Sequence, residues 1–312
     1  MSDTASPANS PFSPDQIAKL GTIRNDLAMA HVLGRVVWHG GLITAIVTSA
    51  GTQNYWLCTV LILINGMTWS FLGYAGIGHE LYHQRVFSHR QLNRALYELC
   101  SYLTWNNPYF FRVSHRLHHA KTYSNRDTEA YGNPYFKGWK LLPLVTFDLA
   151  LCARRMLYAV VNACGQQLVS FWPFQTEAQH SQDIAKYSRR MILLHSGLTV
   201  VFFMQGHAEL VLATTLAPFF CTLPNRALAA AQHIGLAAEV DKGAMHHTRS
   251  LQLSWPVAYF YANMNYHCEH HLMPAVPFYN LPELSRMLLE NGSELKIETS
   301  RFFISDFWAM TK

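Results

Sequence analysis

Eight of the seventeen histidines in this 312-residue chain fall into three short runs. The first is GHELYH, with His79 and His83. The second is SHRLHHAKT, with His115, His118 and His119. The third is NYHCEHHLMP, with His267, His270 and His271. Side chains at i, i+3 and i+4 share one face of a helix, so each run presents its imidazoles as a group. Imidazole is a good ligand for iron, zinc, copper and nickel. Eight such nitrogens exceed the needs of one ordinary site and suit two metal ions in a shared cavity. Any fold for this chain must return three distant segments to one place.

The intervening sequence limits how that can happen. Apolar stretches cover about 36–50, 55–77, 191–204 and 210–223, and only GTQN and QGHAE divide the members of each pair. Each pair reads as a helical hairpin. A membrane span needs about 20 apolar residues, which the second stretch meets comfortably. For the shorter ones, buried helices of a soluble protein are the alternative. Charge decides between them. Charged residues make up 14% of the chain, against about 25% in soluble domains. Of the 24 Lys and Arg, three precede the first stretch, fourteen lie between the hairpins and seven follow the fourth. Neither hairpin tip carries any, as the positive-inside rule requires.

The expected fold is therefore all-α: an integral membrane protein with four transmembrane helices in two hairpins plus a cytoplasmic helical cap carrying the metal site. An even number of crossings separates the three runs, so all of them share the cytoplasmic face with both termini. If span two continues as helix to His83, residues 55–83 reach roughly 43 Å at about 1.5 Å per residue. That passes the hydrocarbon core, and a similar continuation of span four would deliver His233. The segment 139–165 is apolar but interrupted by Asp148, Arg154 and Arg155, as expected of an interfacial helix. Residues 1–30 read as a disordered leader, Pro- and Ser-rich at its start, and an interfacial N-terminal segment, with no secretory signal. Residues 31–312 read as a single membrane-embedded domain. Cysteines 58, 100, 152, 164, 221 and 268 show no CxxC spacing, which gives neither a disulfide framework nor a rubredoxin-like site. The net charge of +5 is not gathered into a basic run, so nucleic acid is not an expected partner.

The runs resemble the histidine boxes of the membrane fatty acid desaturase superfamily, H-x3/4-H, H-x2/3-HH and H/Q-x2/3-HH, here HELYH, HRLHH and HCEHH. The likeness covers roughly 74–284 and includes HCEHHLMPAVPFYNLPEL. The superfamily also holds lipid hydroxylases, alkane monooxygenases and acetylenases. The resemblance implies a non-haem di-iron centre with O2 as co-substrate, acting on an unactivated C–H bond of an acyl or lipid chain, carrier-linked or in the membrane. Desaturation is the expected reaction, with hydroxylation or acetylenation as the alternative. Several members carry a further ligand before the third box, which implies His233, in QHIGL, as a ninth. Animal acyl-CoA desaturases place an Asn four residues before that histidine; here Ala229 stands there, with Gln232 as a substitute. No haem, flavin or iron–sulfur motif is present, so two electrons must come from a separate donor such as a ferredoxin, or a cytochrome with its reductase.

Glu80, Glu269, Asp127, Glu129 and Asn265 are candidates to accept an imidazole N–H and so orient a ligand. His246 and His247 fit no box spacing and are assigned peripheral roles, as are His31, His39, His89, His180, His195 and His207. The TWNNPYFF segment and the spans are expected to line a narrow apolar tunnel for the acyl chain. Arg112, Arg116 and Lys121 read as a solvated face, with a phosphate-bearing head group as the alternative. HELYH also satisfies the HExxH of a zinc metalloprotease, with Glu80 as the general base. That reading leaves six or seven clustered histidines without a role.

Overall fold

A computed structural model of the chain describes residues 12–120, 122–123, 127, 129, 136–166, 178–236 and 244–311. The first eleven residues of the expected leader, Lys121 and the side chain of His180 lie outside them. Ser13 opens α1 (Pro14–Leu20) through a reciprocal capping pair with Gln16, and Phe12 and Leu20 are buried. The first hairpin is α2 (Asn25–Gly51) and α3 (Tyr55–Trp69), with Asn54 capping α3 at Leu57 N. Because α2 begins before its apolar stretch, it carries His31, Arg35 and His39 into the interior. Arg35 donates to the carbonyls of Phe71, Tyr259 and Phe260, so its charge is solvated by protein. Two segments, Pro14–Gly51 and Tyr55–Tyr82, are long and apolar enough to cross a membrane.

Span two does not run on as one helix into the first histidine run. It tightens into a 3-10 turn at Ser70–Leu72, turns through 73–76, and restarts as α4 (Ile77–Tyr82). The sequence GYAGIG explains the break. A Cβ at Gly78 would sit 2.7 Å from the Leu72 carbonyl oxygen, and one at Gly76 would strike the Phe71 carbonyl. Next come α5 (Arg90–Leu103) and α6 (Pro108–Ala120). The Asn107 side chain caps α6, accepting from Tyr109 N at 3.1 Å. Its amide nitrogen donates to Ile184 O at 2.9 Å, which fastens α6 to a later helix, α9.

After α7 (Leu141–Val145), α8 (Leu149–Ala163) packs along α9 (Ala178–Met204). α8 is amphipathic in an inverted sense. Leu149, Leu157 and Val160 project outward at 66%, 50% and 54% exposure, while Arg155 is half-buried. The fourth apolar stretch is also not one helix. It comprises α10 (Ala208–Leu210), a π turn at Val211–Thr215, a 3-10 turn at Ala217–Phe219 and, after a break, α11 (Leu223–Ala231). Pro218 and Pro224 cannot donate an amide to a helix. Phe220 instead pairs with Phe147 in an isolated antiparallel bridge. His233 is thus delivered by a separate short helix rather than by a continuing span. This irregular arm lies against α3 at Gly66, where a Cβ would come 2.7 Å from Ala217 O.

The remainder is α12 (Ala244–His247), α13 (Trp255–Phe260), α14 (His267–Leu272) and α15 (Leu281–Glu290), with β1 (Ser250–Leu251) parallel to β2 (Ile297–Glu298). That two-residue pairing is the only sheet among the described residues, and the mostly helical expectation holds. One apolar core gathers Leu20, Leu81, Phe87, Tyr97 and Leu284. A second gathers Leu228, Ile234, Leu251, Tyr261 and Phe307. Gly66→Val is expected to cost about 1–3 kcal/mol by overpacking, read as a lower Tm in detergent. Gly40→Ala, with nothing within 4 Å, should leave the Tm unchanged or slightly higher. Equal melting of the Gly66 variant and the parent would contradict the close packing of the return arm on α3.

Candidate metal centre

Four short helices bring nine imidazoles together. α4 supplies His79 and, at its end, His83. α6 supplies His115, His118 and His119. The turn after α11 supplies His233, and α14 supplies His267, His270 and His271. They separate into a set of five, His79, His83, His115, His119 and His270, and a set of four, His118, His233, His267 and His271. Within each set the available ligand atoms all lie within 4.8 Å of one another. The split alternates along each helix. His118 faces one set while its neighbours His115 and His119 face the other, and His270 and His271 divide in the same way.

The nitrogens converge. In the first set the Nε2 of His115 lies 3.2 Å from that of His83 and 2.9 Å from that of His119. In the second set, His271 Nε2 lies 3.2 Å from His118 Nε2 and 3.1 Å from His267 Nε2, and His233 Nε2 lies 2.9 Å from His267 Nε2. A first-row ion with nitrogens at about 2.1 Å holds neighbouring donors about 3.0 Å apart at right angles. The spacing in both sets matches that edge. The Nε2 atoms of His79 and His270 are buried without a hydrogen-bond partner among the described residues. Buried polar nitrogens are rarely left unpaired, so a ligand-binding role accounts for them. The residues present therefore fit two imidazole-bound metal ions.

Electrostatics prepares the same chemistry. Burial, reinforced by neighbouring imidazoles, pushes His115, His119, His267, His270 and His271 well below the ordinary histidine range. Burial and His118 do the same to His233. Neutral imidazole is the form that ligates metal. His118 differs. Burial is the largest single influence and lowers it, but the hydrogen bond to Asp127 together with the charges of Glu129 and Asp127 raises it. Burial alone would raise Asp127, yet His118 holds that carboxyl well below the usual range.

Three of the expected orienting groups touch imidazole. Glu80 Oε1 accepts from His79 Nδ1 at 3.0 Å and lies 3.9 Å from His270 Nδ1. Asp127 faces His118 Nδ1 at 3.1 Å, and Glu129 accepts from His115 Nδ1 at 2.9 Å. Such partners fix the tautomer that leaves Nε2 free for a metal. Asp127 also accepts from the backbone amides of Tyr123 and Glu129, at 2.7 and 2.8 Å. The other three candidates hold backbone carbonyls or a hydroxyl instead. Gln232 donates to Met264 O, Asn265 donates to Leu251 O, and Glu269 accepts from Ser250 Oγ. They brace the segments around the third run without meeting an imidazole.

Residues 247–250 supply support that spacing rules could not reveal. His233 Nδ1 faces the His247 carbonyl at 3.3 Å. Arg249 donates to Ala231 O and Ile234 O at the end of α11, where helix carbonyls are unsatisfied. Ser250 Oγ accepts from Cys268 N at 3.1 Å, at the start of α14. Tyr123 donates to the carbonyl of His233. Of the other histidines, His31 and His195 contact backbone carbonyls and His39 contacts Asn65, away from both sets.

A cavity of about 440 Å³ adjoins the set of five through Ser114 and Glu129. Thr104, Asn106, Phe110 and Phe111 line it, along with Ala229, so the TWNNPYFF segment does border it. An annex of about 80 Å³, bounded by Trp105, Phe110, Ala159 and Met191, shares its Tyr74, Arg155 and Tyr158 walls. The cavity is not the expected apolar tunnel, because Arg154, Arg155 and Arg226 also line it. Arg155 is half-buried against it, and Arg154 borders it while remaining exposed. Arg112 and Arg116 border a different, open cleft beside His83 and His119.

The family model for fatty acid desaturases matches residues 54–302, well over half of the chain and all nine histidines. No curated protein matches. Asp127→Asn is expected to weaken metal binding roughly 10–100-fold by releasing the His118 ring. Titration of iron into metal-free protein checks this, with Gln232→Glu as a comparison expected to change metal affinity far less. Unchanged affinity in Asp127→Asn would show that His118 is oriented by something else.

Proposed function

This chain belongs to the fatty acid desaturase family, and from that membership and its paired histidine sets we infer an O2-dependent di-iron oxidase acting on an unactivated C–H bond of a fatty acyl or lipid chain. Desaturation is the reaction proposed. The observation that carries the reading is the division of nine imidazoles into converging sets of five and four. Imidazole also suits zinc and copper, so the choice of iron rests on the family. When bound, the two irons would supply O2 activation and removal of hydrogen.

The chain's own residues have separate tasks. The nine histidines hold the ions as neutral donors. Glu80, Asp127 and Glu129 take the outward N–H groups and fix the ring angles. The buried helices around the sets exclude water, which protects reactive chemistry from side reactions. Forming an alkene while O2 is reduced to two waters takes two hydrogens from the substrate, and two electrons and two protons from outside. A separate donor, a ferredoxin or a cytochrome with its reductase, belongs to this proposal.

Four spans with a cytoplasmic metal site remain the proposed topology. The apolar outer surfaces of α2, α8 and α9 support membrane residence; Val37, Leu193 and Met204 are 74%, 72% and 82% exposed. The metalloprotease alternative fares worse. Glu80 is buried and engaged with His79, whereas a general base must face a substrate water. Hydroxylation of the same substrates is the nearer rival.

His118→Ala or His270→Ala is expected to abolish turnover and lower iron content while membrane insertion is retained. His246→Ala should be mild. Elemental analysis, with lipid profiling in a reductase-containing host, reads both. Full activity in either ligand variant would refute the assignment, as would zinc without iron in the parent. A product lacking two hydrogens supports desaturation, and one gaining an oxygen supports hydroxylation.

A further inference from the structure

We propose that the cavity beside the five-histidine set receives the anionic end of the substrate, a carboxylate or a phosphate, against Arg154 and Arg155. The enzyme would then act on amphiphiles whose charged head enters this cavity, beside the metal sets. This deepens the lipid-oxidase reading and rests on it.

The charge inventory of the cavity carries the proposal. Three guanidinium groups and one carboxyl group line it among the described residues: Arg154, Arg155, Arg226 and Glu129. Two are already committed. Arg226 is paired with Asp148 at 2.5 Å. Glu129 accepts from His115 Nδ1 and from Ser114 Oγ, at 2.9 and 3.1 Å. Arg154 and Arg155 make no hydrogen bond or ion pair with any described residue. Arg154 is exposed and Arg155 half-buried, and the Arg155 charge, partly removed from water, gains from an anionic partner. Burial and the neighbouring Arg154 push Arg155 down to about 10, so it remains cationic at neutral pH. An anion between them removes the repulsion, and guanidinium binds carboxylate or phosphate through paired N–H donors.

The helix that bears them was built to do this. In α8 the apolar side chains Leu149, Leu157 and Val160 face out and Arg155 faces the cavity. A water-exposed amphipathic helix would do the reverse. The site is also close to the metal sets. Tyr74, a cavity wall, stacks on Phe111 at 3.7 Å between ring centres, and Phe111 stacks on His115 at 4.7 Å. The annex past Tyr158 offers apolar surface from Trp105, Phe110 and Met191 for the carbons that follow the head.

The test uses the full-length, iron-loaded protein in zwitterionic nanodiscs and measures binding calorimetrically. The probes are decanoate, decyl phosphate and the uncharged decanamide, with empty nanodiscs as the blank. At least one anion is expected to bind about tenfold tighter than decanamide through charge-assisted hydrogen bonds. Whichever anion binds tighter identifies the head. Arg155→Gln should erase that preference without changing decanamide binding, and Arg155→Lys should keep part of it. If Arg155→Gln does not yield monodisperse protein, Arg154→Gln and Arg155→Lys carry the comparison. Equal binding of decanoate, decyl phosphate and decanamide to the parent overturns the proposal. So does an anion preference that survives in Arg155→Gln, or in Arg154→Gln where that variant stands in. Iron content and turnover on the same preparations separate the two readings. Anion selectivity without iron or oxidation sinks the oxidase assignment alone, whereas oxidation without anion selectivity sinks the head-group site alone.

Discussion

Nine imidazole nitrogens crowded within a few ångströms are stable together only while none carries a proton and something shares their lone pairs. Burial drives eight of the nine rings toward the neutral form, and metal binding at His118, which is raised instead, would displace its proton. A metal ion would satisfy the second condition. The carboxylates of Glu80, Asp127 and Glu129 connect the two conditions: each takes an N–H on the outer edge of a ring and turns the bare nitrogen inward. His118 shows the strength of this coupling, because Asp127 and Glu129 together outweigh burial.

That constraint explains features of the scaffold that otherwise look like defects. A helix running straight from α3 would carry His79 onward along its own axis, so the chain breaks at three closely spaced glycines and restarts as α4. The return arm of the second hairpin is irregular around Pro218, and α11 begins afresh. Short helices can be aimed independently, whereas long ones cannot. Their exposed ends then need backbone partners. Arg249 satisfies carbonyls at the end of α11, and Ser250 satisfies an amide at the start of α14. One four-residue segment thus fixes His233 and the third histidine run together.

Legibility in the sequence follows the same division. The helix-face rule needs only local spacing, so eight clustered histidines could be read from the chain, and the family pattern added His233. Asp127 and Glu129 were accessible because they follow the second run closely enough to fold back on it. Gln232, Asn265 and Glu269 sit equally near the runs, but their partners are Met264 O, Leu251 O and Ser250 Oγ, and nothing in local spacing distinguishes these from imidazoles. The continuous-helix expectation failed at GYAGIG because glycine's effect there depends on what its missing Cβ would strike. Arg249 and Ser250 carried no signal at all, since their partners lie on other segments.

The inverted amphipathicity of α8 links the membrane to the chemistry. Arg154 and Arg155 interrupt an apolar segment, which by composition alone suggests basic groups turned toward water or lipid phosphates. The fold places Leu149, Leu157 and Val160 on the outside together with Arg154, and half-buries Arg155 against a cavity that reaches Glu129. Glu129 is hydrogen-bonded to His115, so the same carboxylate borders the cavity and orients a member of the metal set. A charged group entering beside Arg155 would change the field acting on Glu129, and through it the basicity of the His115 ring. On the proposed reading, substrate placement and metal tuning would be coupled by one hydrogen bond, rather than assigned to separate parts of the molecule.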